Sequence, residues 1–80
     1  MRYFFDTRDE GVVVPDDLGL EAGDLNEVKV IAAKALAELA AEVLPCSTEQ
    51  CLGVDVRDSQ GHPVLTTELT FKAIVLKAAA

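Results

Sequence analysis

The sequence predicts a two-layer α+β fold with the element order β-β-α-β-β, in which one amphipathic helix packs on an antiparallel sheet. Runs of β-forming residues that alternate with a period of two lie towards both ends of the chain, and turn signals separate them. Between them, one segment carries apolar residues at three- and four-residue spacing, which indicates a helix. No linker or repeat divides the 80 residues, so we expect one small α+β domain over residues 1–80.

The first strands are predicted to form a hairpin. Residues 1–8 alternate, and Phe4 is an apolar residue on the otherwise charged face. After a turn, Val12–Val14 forms a short second strand, which Pro15 ends or marks as an edge because proline cannot donate to a ladder. A further turn follows, and the strand resumes briefly at Leu20–Glu21. The face expected in the core carries Tyr3, Phe5 and Thr7.

The central segment, residues 25–44, is predicted to be a helix. Asp24 is placed to cap its first turn, and Glu27 three residues later gives an arrangement similar to a capping box. Pro45 is expected to stop the helix, and residues 45–50 are expected to form a loop. Six of the helical residues are alanine, which favours helix and allows close approach to a sheet. The expected core stripe is Leu25, Val28, Ile31, Ala32, Ala35, Leu36, Leu39 and Val43.

The second hairpin is predicted to join a strand over residues 51–58 to a last strand that starts near Pro63, through the turn Asp58–Gly61. Strand-like composition continues to Leu76, and an extended run of that length spans about 46 Å, against a diameter of about 30 Å for a compact domain of this size. The last strand must therefore bend, stop early or project, and the alternative to projection is a bulge followed by fraying over residues 77–80. The expected inward residues are Leu52, Val54, Val56, Leu65, Thr67, Leu69, Phe71, Ala73 and Val75.

The charge of the chain excludes several classes of partner. Seven Lys and Arg against fourteen Asp and Glu give a formal net charge of −7. Such a chain repels phosphate backbones and anionic lipid headgroups, so we expect no nucleic acid and no membrane among its partners. No uncharged run approaches the about 20 apolar residues of a spanning helix, and early charges interrupt any signal-peptide core. The expected location is the cytoplasm.

Four spaced motifs resemble those of a known family. They are Arg-Tyr-Phe-Phe-Asp-x-Arg-Asp at Arg2–Asp9, Asp-x-x-Gly at Asp16–Gly19, Asp-Leu at Asp24–Leu25 before an alanine-rich helix, and Val-x-Val-x-Asp-x-x-Gly-x-Pro-Val at Val54–Val64. Together they resemble a family of short bacterial proteins catalogued only as a domain of unknown function, and they cover nearly the whole chain. The resemblance implies a compact bacterial domain and carries no activity, cofactor or catalytic residue.

Cys46 and Cys51 form a Cys-x4-Cys spacing and are the first candidate site. In a cytosolic chain they are most simply two reduced thiols that flank a loop. The alternative is a redox pair, because a short loop could bring them within reach of a disulfide. Tetrahedral zinc needs four ligands and only His62 is left to help, so we expect no metal site.

The remaining polar residues form no catalytic pattern. Residues 9–24 hold six acids and no base, which is most simply a solvated loop edge. A weak divalent-cation site is the alternative there, although the spacing does not match an EF-hand loop. His62 follows a hairpin turn, and nothing in the spacing brings a cysteine or serine to it. We expect no catalytic residue and no cofactor.

These observations favour a small non-enzymatic protein-interaction or self-associating module, with another protein or a second copy as partner and a homodimer as its candidate assembly. Phe4, Val64 and Ile74 are the candidate interface residues, because they are apolar and predicted on the outer sheet face. The alternative function is a thiol-dependent regulator that uses Cys46 and Cys51. A small enzyme is the least favoured function, since a two-layer domain of this size has little volume for a deep pocket.

Overall fold

The computed structural model describes residues 1–77, and residues 78–80 lie outside the described part of the chain. The described part contains one α-helix and five strands. The strands are β1 (Arg2–Asp9), β2 (Val12–Val14), β3 (Leu20–Glu21), β4 (Glu49–Asp58) and β5 (Pro63–Lys72), and the helix is α1 (Leu25–Val43), which continues into a 3-10 turn at Leu44–Cys46. The predicted α+β fold, with one helix packed on an antiparallel sheet, is confirmed.

The sheet has the strand order β2-β1-β4-β5, with every neighbouring pair antiparallel. β2 pairs with β1 at Thr7 to Asp9, and β3 pairs with β1 at Arg2 and Tyr3. The two short strands therefore lie along the same edge of β1, as the two ends of one edge strand whose middle loops out. The sequence left the strand order open, and the structure places β1 and β4 at the centre of the sheet.

The core lies between α1 and the inner face of the sheet, mainly over β4. Its buried residues are Phe5, Ala22, Val28, Ala32, Leu36, Ala40, Leu52, Val54 and Val56. Leu52, Val54 and Val56 confirm the predicted inward positions of β4, and Phe5 confirms the central inward position predicted for β1. The predicted stripe is wrong at Leu25, which is exposed at the first position of α1. The stripe also omitted Ala40, which is buried. Since Ala32 and Ala40 have no side-chain atom beyond Cβ, the helix backbone lies close to the strands.

The first turn of α1 is capped as predicted. Oδ1 of Asp24 accepts a hydrogen bond from the backbone N of Glu27 at 2.8 Å. In return, Oε2 of Glu27 accepts one from the backbone N of Gly23 at 3.1 Å, one residue earlier than in a standard capping box. The two bonds satisfy amides at a helix start that would otherwise lack partners.

α1 ends at Val43 with Leu44 as its C-cap, which agrees with the prediction that Pro45 stops the helix. The chain then makes a 3-10 turn over Leu44–Cys46, in which the missing N–H of Pro45 removes no hydrogen bond. β4 then begins at Glu49, so the predicted loop over residues 45–50 shrinks to residues 47–48. No helix in residues 1–77 has the length and hydrophobicity needed to cross a membrane.

β5 ends at Lys72, four residues before the predicted end. Ala73 and Val75, predicted as inward residues of the strand, are therefore not part of it. The reason is the length of the neighbouring strand: the amide of Ala73 donates to the carbonyl of Thr48 at 2.7 Å, and β4 offers no backbone beyond that point. The sequence predicts fraying over residues 77–80, and residues 78–80 lie outside the described part of the chain.

A β-bulge near the start of β5 changes the position of Val64. Val56 pairs with Leu65 and Arg57 pairs with Pro63, so Val64 is the extra residue with no partner in the register. It is half-buried and packs against the core cluster. The expectation that Val64 lies on the outer face is therefore wrong, because the bulge breaks the alternation on which that expectation was based.

Because the helix lies close to the sheet, a larger side chain at their contact is expected to destabilise the fold. Ala32→Leu is expected to lower the free energy of unfolding by about 2 kcal/mol, because Ala32 is fully buried and a larger side chain must push the helix away. Ala33→Leu adds the same atoms at the neighbouring exposed position and is expected to change stability by less than about 0.5 kcal/mol. Urea denaturation measures both, and equal losses would contradict the packing described.

Candidate interaction surfaces

The sheet face opposite α1 carries a ladder of two arginine–aspartate pairs. Nε of Arg8 donates to Asp55 at 3.1 Å, and Nε of Arg57 donates to Asp6 at 3.0 Å. Asp6 and Asp55 lie directly opposite each other on β1 and β4, a position in which like charges repel. Each arginine reaches diagonally to the aspartate of the other strand, so positive and negative charges alternate across the strand pair. This arrangement neutralises the centre of the outer face.

Gly53 makes room for the guanidinium of Arg8. A Cβ atom built at Gly53 overlaps that guanidinium and lies 2.8 Å from the carbonyl oxygen of Thr67. Nη2 of Arg8 donates to the same carbonyl at 3.4 Å. This contact was not predicted from the sequence. The signal that could have found it is a glycine inside an alternating strand, which often marks a close approach of another group.

The carboxylate of Asp16 fills the gap between β2 and β3. Its Oδ2 accepts a hydrogen bond from the backbone N of Phe5 at 3.1 Å, on the edge of β1 that neither β2 nor β3 covers at this point. Its Oδ1 accepts one from the backbone N of Leu18 at 3.0 Å, which holds the loop in shape. Gly19 has φ 73°, and a Cβ atom there would lie 2.9 Å from the carbonyl oxygen of Tyr3, so the position requires glycine. The Asp-x-x-Gly motif is thus a substitute for a missing piece of strand.

Arg57 connects this loop to the ladder. Its Nη2 donates to the carbonyl oxygen of Asp16 at 2.9 Å, and the backbone N of Asp16 donates to Asp6 at 2.8 Å. The guanidinium carbon of Arg57 also lies 4.6 Å from the centre of the Phe4 ring, a cation–π geometry. Phe4, one of the candidate interface residues, is thus half-buried beneath Arg57 on the outer face. Its participation in an interface stays a prediction.

The contacts of the outer face hold two carboxyl groups in their charged form. Burial would raise the pKa of Asp16, but hydrogen bonds from three backbone amides and the charge of Arg57 outweigh it and hold the pKa below its usual range. The hydrogen bond from Arg8 is the main reason that the pKa of Asp55 is lowered, with burial opposing it. These carboxylates are therefore acceptors that stabilise the fold, which is the opposite of what a proton donor at neutral pH requires.

The turn between β4 and β5 is organised by Asp58. Its Oδ1 accepts hydrogen bonds from the backbone N atoms of Gln60 and His62, both at 2.9 Å. The amide of His62 is the main cause of the lowered pKa of Asp58. The His62 ring is exposed, with Nδ1 3.7 Å from Oδ2 of Asp58. The predicted turn is confirmed, and His62 lies at its surface.

Cys46 and Cys51 are free thiols on opposite sides of the sheet. Cys46 is exposed in the 3-10 turn that continues α1, on the helix side. Cys51 is adjacent to the buried, inward-facing Leu52, so it points to the outer face, where its Sγ lies 3.8 Å from Oε1 of Glu68. The redox pair stays a prediction, and the fold does not bring its members together.

The acidic residues between positions 9 and 24 have separate local contacts. Asp16 accepts backbone amides in the loop, Asp24 caps α1, and Oε1 of Glu10 accepts from the backbone N of Cys51 at 2.8 Å. In residues 1–77, no three His, Cys, Asp or Glu side chains are grouped so that they could hold a metal ion.

An apolar groove of about 430 Å³ lies where the ends of α1 and β5 meet. Its lining residues are Ala37, Ala40, Ala41, Leu44, Pro45 and Phe71. All six side chains are apolar, and none of them can transfer a proton or act as a nucleophile. The groove therefore suits an apolar side chain of a partner better than a reacting substrate.

Residues 73–77, which follow β5, carry the two most exposed large apolar side chains of the described chain, Val75 and Leu76. Ile74, Val75 and Leu76 are 67%, 83% and 93% exposed. A strand of ten residues spans about 33 Å, whereas the molecule is 56 Å long and only 22 and 16 Å across. The segment therefore continues outward along the strand direction. Ile74, the third candidate interface residue, lies here at the end of the molecule and not beside Phe4.

β2 is an open edge of the sheet with exposed valine side chains. It ends the strand order, so only its β1 side is paired. Val12, Val13 and Val14 are all exposed. Unpaired strand edges with apolar side chains are sites where a further strand can add. This edge is the third surface, besides the groove and residues 73–77, whose apolar groups have no cover within residues 1–77.

Comparison with known proteins identifies a family and no relative of known activity. The family model described as "Domain of unknown function (DUF6894)" matches residues 2–70. Neither the search of curated proteins nor the search of solved structures gives a match. The expected resemblance to a domain of unknown function is confirmed, and the matched range includes the ladder, the Asp16 loop and the edge strands.

Gly53→Ala is expected to lower the free energy of unfolding by about 2 kcal/mol, because the added methyl displaces Arg8 from Asp55 and presses on a backbone carbonyl. Gly23→Ala is the matched control, since a Cβ atom there is 3.4 Å from its nearest neighbour, the flexible side chain of Glu27. Thermal unfolding followed by circular dichroism measures both variants. A Gly53→Ala melting temperature equal to that of the control would show that the guanidinium does not need this space.

Asp16→Asn is expected to flatten the acid end of the stability curve. The pKa of Asp16 is lowered in the folded chain, so its contribution is present above the unfolded value of about 3.9 and is lost as the pH falls through the folded value. Near neutral pH the variant is less stable than the wild type by about 1–2 kcal/mol, because an amide has one acceptor oxygen where the carboxylate has two, and this difference narrows as the pH falls. Urea titrations between neutral pH and pH 3 measure it, with Asp17→Asn as the charge control. Parallel curves for Asp16→Asn and the wild type would contradict the role of Asp16.

Proposed function

We propose that this chain, which belongs to the family of the domain of unknown function DUF6894, is a non-enzymatic interaction module that pairs with a second copy of itself. In the pair, residues 74–76 of each copy lie in the apolar groove of the other. The observation that carries the proposal is the exposure of Ile74, Val75 and Leu76 at the same end of the molecule as that groove. Exposed apolar patches of this kind mark interaction sites.

The segment is poorly placed to fill the groove of its own chain. Phe71 lines that groove only three residues before Ile74, so the chain would have to reverse direction at once. Residues 72–77 contain no Gly, Pro, Asn or Asp, which are the residues that favour tight reversals. In a two-fold pair no reversal is needed. Each segment continues outward and meets the groove of the facing copy, so the contact is the same in both directions.

The charges at this end of the molecule favour the same pairing. α1 has no basic residue in its last turn, where Glu42 instead adds a negative charge to the negative end of the helix dipole. Lys77 directly follows the apolar segment. In the exchanged pair, Lys77 of one copy approaches the end of α1 in the other and supplies the positive charge that this helix end lacks.

The size of the contact corresponds to a reversible dimer. Burying an apolar side chain contributes about 2 kcal/mol, and three are buried from each copy against an association cost of at least about 4 kcal/mol. The resulting dissociation constant is on the order of micromolar. A cytoplasmic location accords with the two free thiols. Thiol-dependent regulation stays an alternative prediction without a contact that favours it.

Two substitutions on the same helix test the pairing. Ala41 lines the groove and Ala33 does not, and both are exposed positions of α1. Ala41→Glu is expected to weaken the dimer at least tenfold by placing a charge in the groove, while Ala33→Glu leaves it unchanged at the same net charge. Sedimentation velocity over a range of micromolar concentrations measures both, with circular dichroism to verify folding. A wild-type chain that stays monomeric throughout, or equal sedimentation of the two variants, rejects the proposal.

A mixing experiment separates this pairing from other dimers. Leu76→Asp places a charge in the apolar segment but keeps the groove, and Ala41→Glu places a charge in the groove but keeps the segment. Each variant alone is expected to be monomeric. When they are mixed, one segment and one groove remain compatible, so a weaker heterodimer forms. If the mixture sediments as the two separate variants do, reciprocal exchange is wrong.

A further inference from the structure

The open edge of β2 is a second binding surface, independent of the proposed dimer. We infer that it binds an extended segment of another protein, in which a short run of β-forming apolar residues is flanked by Lys or Arg. The segment adds to the sheet as a new strand beside β2, with main-chain hydrogen bonds giving affinity and flanking charges giving selectivity. Three observations carry the inference: the direction of the free backbone groups, the exposed valines and the charge around them.

The hairpin geometry fixes which backbone groups of β2 face outward. Glu10 and Gly11 connect β1 to β2 with φ 49° and 82°, the positive values at both central residues that define a type I′ turn. In such a two-residue hairpin the flanking residues, Asp9 and Val12, exchange both hydrogen bonds. Bonding alternates along an antiparallel pair, so the next bonded residue of β2 is Val14 and the N–H and C=O of Val13 point away from β1. These two groups are ready to pair with an added strand.

The side chains of β2 complete the surface. Val12 and Val14 lie on one face of the sheet and Val13 on the other, and all three are at least half exposed. An added strand with β-branched residues covers them on both faces. Because β2 is only three residues long and is followed by Pro15, the matching apolar run of the partner is also short.

The acidic residues around β2 favour a different protein over a second copy of this chain as the source of the added strand. Residues 9–24 carry six acids and no base, with Glu10 before β2 and Asp16 and Asp17 after it. If two copies paired antiparallel around Val13, the acidic positions 9 and 10 of each would lie opposite the acidic positions 17 and 16 of the other. Glu10 and Asp16 keep their charge while they accept backbone amides of their own chain, and like charges brought together in this way destabilise a strand pair. A segment with Lys or Arg on both sides of its apolar run has the complementary pattern.

A synthetic peptide tests the inference directly. The probe is the capped peptide Lys-Thr-Val-Thr-Val-Thr-Lys, in which the lysines are separated by the same six positions as Glu10 and Asp16. It is titrated into the full-length chain and followed by amide NMR. The expected result is saturable shifts at Val12–Val14 and slowed hydrogen exchange at Val13, with affinity falling as salt rises. No shift at millimolar peptide overturns the inference.

Matched variants show whether the backbone and the charges act as described. Val13→Pro removes the outward N–H, a change that an edge strand tolerates, and is expected to weaken binding at least tenfold. Val13→Thr keeps both the N–H and the β-branched shape and is expected to bind as the wild type does. A probe with both lysines replaced by glutamate is expected to bind at least tenfold more weakly.

Three results would overturn the inference: equal binding by the two Val13 variants, equal binding of the two peptides, or shifts confined to the groove. Repeating the titration with Leu76→Asp keeps this test separate from the proposed dimer. Unchanged peptide binding by that variant is expected, because the edge of β2 and residues 73–77 are different surfaces. Loss of binding in that variant would contradict the independence of the two surfaces.

Discussion

The diagonal pairing of two arginines with two aspartates is the interaction on which the rest of this fold depends. A two-layer domain buries one face of its sheet and leaves the other to water. Here the register sets Asp6 opposite Asp55 at the centre of that face, and Arg8 and Arg57 offset the repulsion between the two carboxylates. Gly53 provides the space for one arginine, and the Asp16 loop provides a carbonyl for the other. The segments Arg2–Asp9 and Val54–Val64, which lie far apart in the sequence, therefore meet in one structural network.

This network engages the charged side chains at the centre of the outer face, which are Asp6, Arg8, Asp16, Asp55 and Arg57. Asp16 and Asp55 are held in their ionised form by amides and by Arg8, and a group fixed in this way neither gives nor takes a proton near neutral pH. Exposed apolar groups lie at the ends and edges of the sheet, in the groove, in residues 73–77 and in β2. These are the surfaces from which the proposed contacts are argued.

The sequence predicted those elements that depend on near neighbours along the chain. The alternation of apolar and polar residues predicted β1 and β4, and the capping residue Asp24 predicted the start of α1. Both signals depend only on residues that are close together in the chain. The errors lie where distant residues decide the result. β5 ends where β4 offers no further partner, and the bulge opposite Arg57 turned Val64 inward. The ladder and the groove could not be predicted, because both require the strand order and the path of α1 over the sheet.

The alanines of α1 connect the packing of the core with the candidate dimer surface. On the inner side of the helix, Ala32 and Ala40 allow the backbone to lie close to β4, and larger residues there would separate the layers. Towards the end of α1, Ala37 and Ala41 have the same small size but extend past the cover of the sheet, so they leave a shallow apolar channel beside Phe71. A bulky residue at Ala41 would fill that channel without disturbing the core. The composition that lets one helix seal a small sheet thus also leaves the helix end open to an apolar segment of a partner.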